Sequence, residues 1–276
     1  MAAEAVVAPP GAKVMVKRHR LSVRITHWIN VIALALLLVS GLQIFNAHPA
    51  LYWGKAASFA NPWLSMTAER YGDKTFGTTF VGGLSFNTTG VLGASKEQGV
   101  LVERGFPAWA TLPPYRSLTI GRRWHFFFAW VFAVNGLIYL ATGLINRHLT
   151  REVLPRPKDL ATVFKDPHLR LKFSKGPDSA RYHQTQRIAY ATMVFIVLPL
   201  VALTGMTMSP GLNAAFPFLL DIFGGRQSAR SIHFICANLI VAFVLIHLLM
   251  VLLSEPINQI RAMITGKLAI QPETAP

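Results

Sequence analysis

Acidic residues are scarce in this chain: 12 Asp and Glu stand against 27 Lys and Arg, and only 14% of its 276 residues are charged. A soluble domain normally carries about a quarter charged residues, so a soluble fold fits poorly. A mean hydropathy of +0.40 and 52% hydrophobic content point to a membrane protein. Cysteine is nearly absent. The single Cys236 excludes an internal disulfide or a cysteine-ligated cluster within one chain, and its place inside the last apolar run marks it as a packing residue. Nor does the basic excess gather on one polar domain. Lys and Arg flank the apolar runs, a pattern of membrane topology and anionic-lipid contact and not of nucleic-acid binding.

The opening residues are not expected to act as a secretory leader. The first residues place their positive charge after a weakly apolar start broken by Pro9, Pro10 and Gly11, without a long apolar stretch before a cleavage site. Residues 1–22 are expected to form a cytoplasmic tail.

Four apolar runs are present, at 23–45, 124–145, 188–208 and 232–253, each long enough to cross a bilayer as a helix. The expected fold is an all-α membrane protein, a four-transmembrane-helix bundle over 23–253 with a second tail over 254–276. Pro199 is expected to kink the third helix. The connections differ. The first, 46–123, is a long external loop with ten glycines and aromatics such as Tyr52, Trp53, Trp63, Phe86 and Trp109. The second, 146–187, carries ten Lys and Arg, and the third holds an apolar stretch, 216–223, able to lie along the membrane surface. The positive-inside rule puts both termini and the basic loop in the cytoplasm and the aromatic loop outside.

Histidine carries the chemistry. His233 and His247 lie fourteen residues apart in the fourth run. Fourteen helical steps turn through about 1400°, close to a whole number of turns, and rise about 21 Å. Both imidazoles then share one helix face, near opposite edges of a hydrocarbon layer about 30 Å thick. They are either two polar residues each satisfied by a neighbouring helix, or ligands. Titratable side chains inside a membrane are costly and usually functional.

Depth supplies partners: His27 starts helix one on the cytoplasmic side with His247, and His125 starts helix two on the external side with His233. Two histidines at one depth on separate helices suit haem iron, whose axial ligands come from opposite sides. Zinc is a poorer fit, because no Cys, Asp or Glu accompanies either pair. A proton relay would bring carboxylates into the spans, and there are none. Haem with two protein ligands leaves no open position, so its work is one-electron transfer. Arg20, Arg24, Arg122 and Arg123 flank the ligands, either as propionate partners or as ordinary topology residues.

Other residues have two readings. Ser40-Gly41, Thr142-Gly143 and Thr204-Gly205 form a weak echo near helix exits. Small residues there let helices approach, or glycine, Gly41 above all, makes room for a large planar cofactor. His183 either contacts a quinone head group or a propionate, or lies on the surface. His19, His48, His148 and His168 are expected to be solvated, and Met206 and Met208 to pack.

The segments HRLSVRITHWIN (19–30) and WHFFFAWVFAVNGLIY (124–139), with the paired histidines of helix four, resemble the prokaryotic cytochrome b561 family. That family includes the di-haem b subunits of nickel–iron hydrogenase, formate dehydrogenase and thiosulfate reductase. SGLQIFNAHPALYWG (40–54) is most similar to the thiosulfate-reductase type. The resemblance covers the four spans. It implies that His27 and His247 hold a cytoplasmic-side haem b, and that His125 and His233 hold a periplasmic-side one. It also implies a periplasmic partner, typically a molybdopterin oxidoreductase, and electron exchange with the quinone pool. Formate-dehydrogenase-like members carry Tyr-Asn-x-x-Gln and a basic residue at the start of helix three. This chain has Tyr182-His183-Gln184-Thr185-Gln186-Arg187, so a quinone contact there is kept with altered chemistry or lost.

The leading expectation is thus a bacterial inner-membrane electron-transfer subunit with two b haems, serving a catalytic partner. The long outer loop suits a docked protein. The alternative is a stand-alone quinone-linked cytochrome acting on a small external oxidant such as superoxide. A haem-free transporter or anchor leaves four ordered histidines unexplained.

Overall fold

The computed structural model describes residues 14–72, 74–155 and 184–270. Four helices among them are long and apolar enough to cross a membrane: Leu21–Phe45, Leu118–Ile145, Gln186–Met208 and Arg226–Leu253. Large apolar side chains such as Ile32, Leu137, Leu245 and Leu249 stand exposed along them, as lipid-facing residues do. The chain is a helical membrane protein.

Helix α1 is Leu21–Phe45 and α2 is Leu118–Ile145. The third span is not uniform. Helix α3, Gln184–Thr192, passes through a π turn, Met193–Val197, into α4, Leu198–Met208. Pro199 accounts for it: the ring removes an N–H and crowds the carbonyl four residues back, and a widened turn just before it absorbs the mismatch. Short helices α5, Pro210–Ala215, and α6, Phe218–Ile222, follow. Exposed Phe216, Phe218 and Ile222 stand in the stretch expected to lie along the surface. Helix α7, Arg226–Leu253, is unbroken, and α8 is Pro256–Thr265.

The all-α expectation needs correction, because the segment between α1 and α2 is folded β-structure. Strands β2, Ala50–Leu51, β3, Leu64–Tyr71, β4, Lys74–Val81, and β5, Leu84–Asn87, form one antiparallel sheet in that order. Strands β6, Ala94–Glu97, and β7, Val100–Glu103, form a second hairpin. Much of the glycine content serves these turns. Val81 pairs with Leu84 across Gly82 and Gly83, whose φ values of 55° and 95° suit a tight hairpin turn that strongly favours glycine.

The chain divides into two compact units. One comprises Met1–Trp28, Leu137–Ile196 and Ile240–Pro276. Within it β1, Val14–Lys17, pairs antiparallel with β8, Lys267–Ile270. Asn258 on α8 clips β8 in place, its amide donating to the Ala269 carbonyl at 2.8 Å and its oxygen accepting from the Ala269 N–H at 3.1 Å. Residues expected as a tail therefore form a helix and a strand.

The other unit comprises Ile29–Gly136 and Val197–Leu239. Its β-structure is tied to helix ends through polar side chains. Arg230 donates to the His48 and Ala50 carbonyls at 2.5 and 3.0 Å, and Ser231 to the Tyr52 carbonyl at 2.6 Å. Arg104 is fully buried: it donates to Thr111 Oγ1 at 2.7 Å, to the Phe106 carbonyl at 2.9 Å and to Gln43 Oε1 at 3.1 Å, and it pairs with Glu97 at 3.2 Å. Phe45, Leu51, Leu64 and Met66 make the apolar core beneath.

Candidate functional site

His125 on α2 and His233 on α7 have ring centres 6.2 Å apart, with 65° between their planes. Their Nδ1 atoms are held in one manner. His125 Nδ1 lies 3.1 Å from the Leu37 carbonyl oxygen and 3.2 Å from Ser40 Oγ. His233 Nδ1 lies 2.9 Å from the Val201 carbonyl oxygen and 3.2 Å from Thr204 Oγ1. Each hydroxyl already donates to the carbonyl one turn back, Ser40 to Leu36 at 2.5 Å and Thr204 to Leu200 at 2.7 Å. Only acceptors then meet Nδ1, so Nδ1 donates on both rings and Nε2 keeps its lone pair. That tautomer, with its second nitrogen hydrogen-bonded, is the form that ligates metals.

The next residue in each case is glycine. A Cβ built on Gly41 would stand 3.2 Å from Cε1 of His125, and one on Gly205 would stand 3.3 Å from Cε1 of His233. Of the two readings of Gly41, the geometry shows a third relation: the imidazole itself fills the space a side chain would take. Gly143, the third member of the echo, faces Leu149 instead, whose Cγ would lie 2.7 Å from an added Cβ.

His27 on α1 and His247 on α7 have ring centres 6.4 Å apart, at 67°. Aromatic rings hold this pair. Phe243 stacks on His247 at 6.1 Å, Tyr190 meets His247 edge-on at 6.5 Å, and Trp28 meets His27 edge-on at 5.5 Å.

Both separations fit one metal atom between two rings. An imidazole nitrogen sits about 2 Å from a bound metal and roughly 1.1 Å from its own ring centre, which puts two such rings about 6 Å apart. Among the described residues no group of three or more His, Cys, Asp or Glu could hold a metal ion. Each pair therefore offers two ligands and no more, a donor set suited to the axial positions of haem and short of tetrahedral zinc.

The four arginines differ. Arg24, three residues before His27 and so on the same helix face, has its Nε buried without a hydrogen-bond partner among the described residues. Arg20 is occupied, donating to Asn146 Oδ1 at 2.9 Å. Arg122 lies over the Phe126 ring at 5.4 Å, and Arg123 is exposed. His183 and His168 lie outside the described residues.

Three histidines expected in solvent are not all there. His148 is 5% exposed, with Nδ1 3.1 Å from Glu152 Oε2 and its ring edge-on to Tyr139. The hydrogen bond from His148 holds the Glu152 carboxyl below its usual range. His19 is pushed down to about 4, first by burial and then by Arg18. His48 stacks on Tyr52 and is lowered by burial and by Arg230. The His148–Glu152 contact arises because 146–155 is partly folded, with a π-helical turn at Leu149–Val153, where a basic loop is expected.

Leu37, Ser40, Val201, Thr204 and Gly205 lie against the two imidazoles and are not among the site residues expected from the sequence. The echo of hydroxyl and glycine was their signal, and it was visible without its meaning.

Facing histidine pairs on an apolar helical chain suit a haem-binding membrane protein. The model of the family described as prokaryotic cytochrome b561 matches residues 18–266. The chain belongs to that family: it is a membrane electron-transfer cytochrome b, and it binds haem b. It is similar to a protein of Azospira oryzae described as "Putative protein-methionine-sulfoxide reductase subunit YedZ1", with 28% identity over 232 residues, 83% of this chain and 87% of that one. No solved structure matches it.

Proposed function

We propose that this chain is a di-haem membrane subunit carrying electrons between the quinone pool and a periplasmic oxidoreductase, a molybdopterin enzyme in the first instance. The observation that carries it is the repeated spacing of the histidine pairs, 6.4 and 6.2 Å between ring centres. In this reading His27 and His247 hold one haem b, and His125 and His233 hold the other. Haem held there would supply reversible one-electron chemistry, with the paired imidazoles as its protein ligands. The protein's part is to fix the rings, keep Nε2 unprotonated and keep water away from the iron.

Arg24 offers a buried donor to a propionate, while Arg20, Arg122 and Arg123 stand as weaker partners. Charge orients the chain. The basic segment 146–187 and both termini face the cytoplasm, and the β-rich segment 46–117 faces the periplasm of an inner-membrane protein. That segment exposes Trp53, Phe59, Trp109 and Tyr115, side chains enriched in protein interfaces. The relative's description as a reductase subunit supports a protein partner over a stand-alone activity.

The test is purification from native membranes under mild detergent. A b-type spectrum that quinol reduces, with a molybdenum-containing protein eluting alongside, is the expected result. Turnover of a small oxidant such as superoxide by the isolated chain, with no partner, contradicts it.

A further inference from the structure

We infer that Ser40 and Thr204 are positioning residues that lower the reduction potential of the haem held by His125 and His233, and of that haem alone. The inference rests on the assignment of this pair as axial ligands. What carries it is a two-fold repetition that packing alone does not require. On α1 a carbonyl, a hydroxyl three residues later and then a glycine meet one imidazole: Leu37, Ser40 and Gly41 against His125. On α4 the same three steps meet the other: Val201, Thr204 and Gly205 against His233. Ser40 and Thr204 are both fully buried.

The chain of hydrogen bonds has one direction. Nδ1–H donates toward the carbonyl and the hydroxyl oxygen, and the hydroxyl donates onward to Leu36 or Leu200. Because the hydroxyl proton is committed to a carbonyl, its oxygen presents a lone pair to the ring. Two acceptors on one N–H draw that proton away from the imidazole and raise the electron density at Nε2. A more basic ligand favours Fe(III) over Fe(II), so the one-electron reduction, in which no bond forms or breaks, is shifted to lower potential. His27 and His247 are instead walled by the rings of Phe243, Tyr190 and Trp28, and neither Ser40 nor Thr204 is among those contacts. The two sites are thereby set apart by their surroundings while sharing one ligand type.

Spectroelectrochemical titration of the purified chain tests this, with Ser40→Ala, Thr204→Ala and Thr204→Ser. The alanine variants should keep the full haem content and raise the potential of one component, the one that disappears in His125→Leu. The other component should stay at its original value. Thr204→Ser, which restores the acceptor, should titrate as the unmodified chain does. Full haem content with unshifted potentials, or equal shifts of both components, overturns the inference and leaves the ligand assignment standing. A His125→Leu chain that retains all its haem overturns the assignment and the inference with it.

Discussion

Gly41 lies against the imidazole of His125, so that an added Cβ would stand 3.2 Å from Cε1. One methyl at that distance can be absorbed by a small shift of the ring; a branched side chain cannot. Gly41→Ala is expected to retain haem, and Gly41→Val to lose the haem proposed at the His125–His233 pair while the other remains. Gly205→Val should behave likewise. Gly143→Ala meets Leu149 and no histidine, so it should lower stability by about 1–3 kcal/mol, the usual cost of overpacking, with no selective haem loss. Haem content per chain and thermal unfolding separate the two outcomes.

Arg24 and Arg20 should separate as well. Arg24 has a buried Nε with no hydrogen-bond partner among the described residues, whereas Arg20 is held by Asn146. Arg24→Gln is expected to weaken retention of the haem proposed at His27 and His247 or to shift its potential. Arg20→Gln should change either quantity much less. Redox titration of both variants checks the order, and equal effects would remove Arg24 from the site.

Arg104 joins the β-structure to α1 through Gln43, and to Glu97 and Thr111, while wholly buried. Arg104→Met leaves Glu97 without its cation and Gln43 and Thr111 without a donor, a loss of about 3 kcal/mol by the behaviour of broken buried pairs. Faster proteolysis within 46–117, with haem spectra retained, is the expected result. Unchanged proteolysis would show that this junction does not hold the segment.

Acid should destabilise the protein through His19. Its pKa is about 4 in the folded chain against 6.5 for an ordinary histidine. The unfolded chain then binds more protons between those values, so stability from the neutral ring is present above pH 6.5 and is lost as pH falls toward 4. Glu152, also held low, adds a loss below its ordinary value of 4.5. The thermal midpoint of His19→Gln should fall less between pH 7 and pH 5, a window of about one histidine titration, than that of the unmodified chain. Parallel curves would contradict the burial of His19.

The long periodicity-free apolar runs made the four spans legible, and helical spacing with charge asymmetry was enough to pair His27 with His247 and His125 with His233. Ring contacts within each pair match those pairings. The β-structure between α1 and α2 is not legible, because its strands are short and glycines such as Gly82 and Gly83 serve tight turns that sequence alone does not pair. The acceptors on His125 and His233 were hidden for another reason: two of the four are backbone carbonyls, which every residue has, so no side-chain pattern announces them. His148 finds its partner, Glu152, one turn away in a segment whose folding the basic composition conceals.

The central claim is that each histidine pair holds its own haem. Haem-to-protein stoichiometry of the purified chain, measured beside single His→Ala variants at His27, His125, His233 and His247, tests it most directly. Two haems are expected in the unmodified chain and one in every variant, with His27 and His247 variants sharing one residual spectrum and His125 and His233 variants sharing the other. One haem in the unmodified chain, or variants that lose both haems alike, would contradict it.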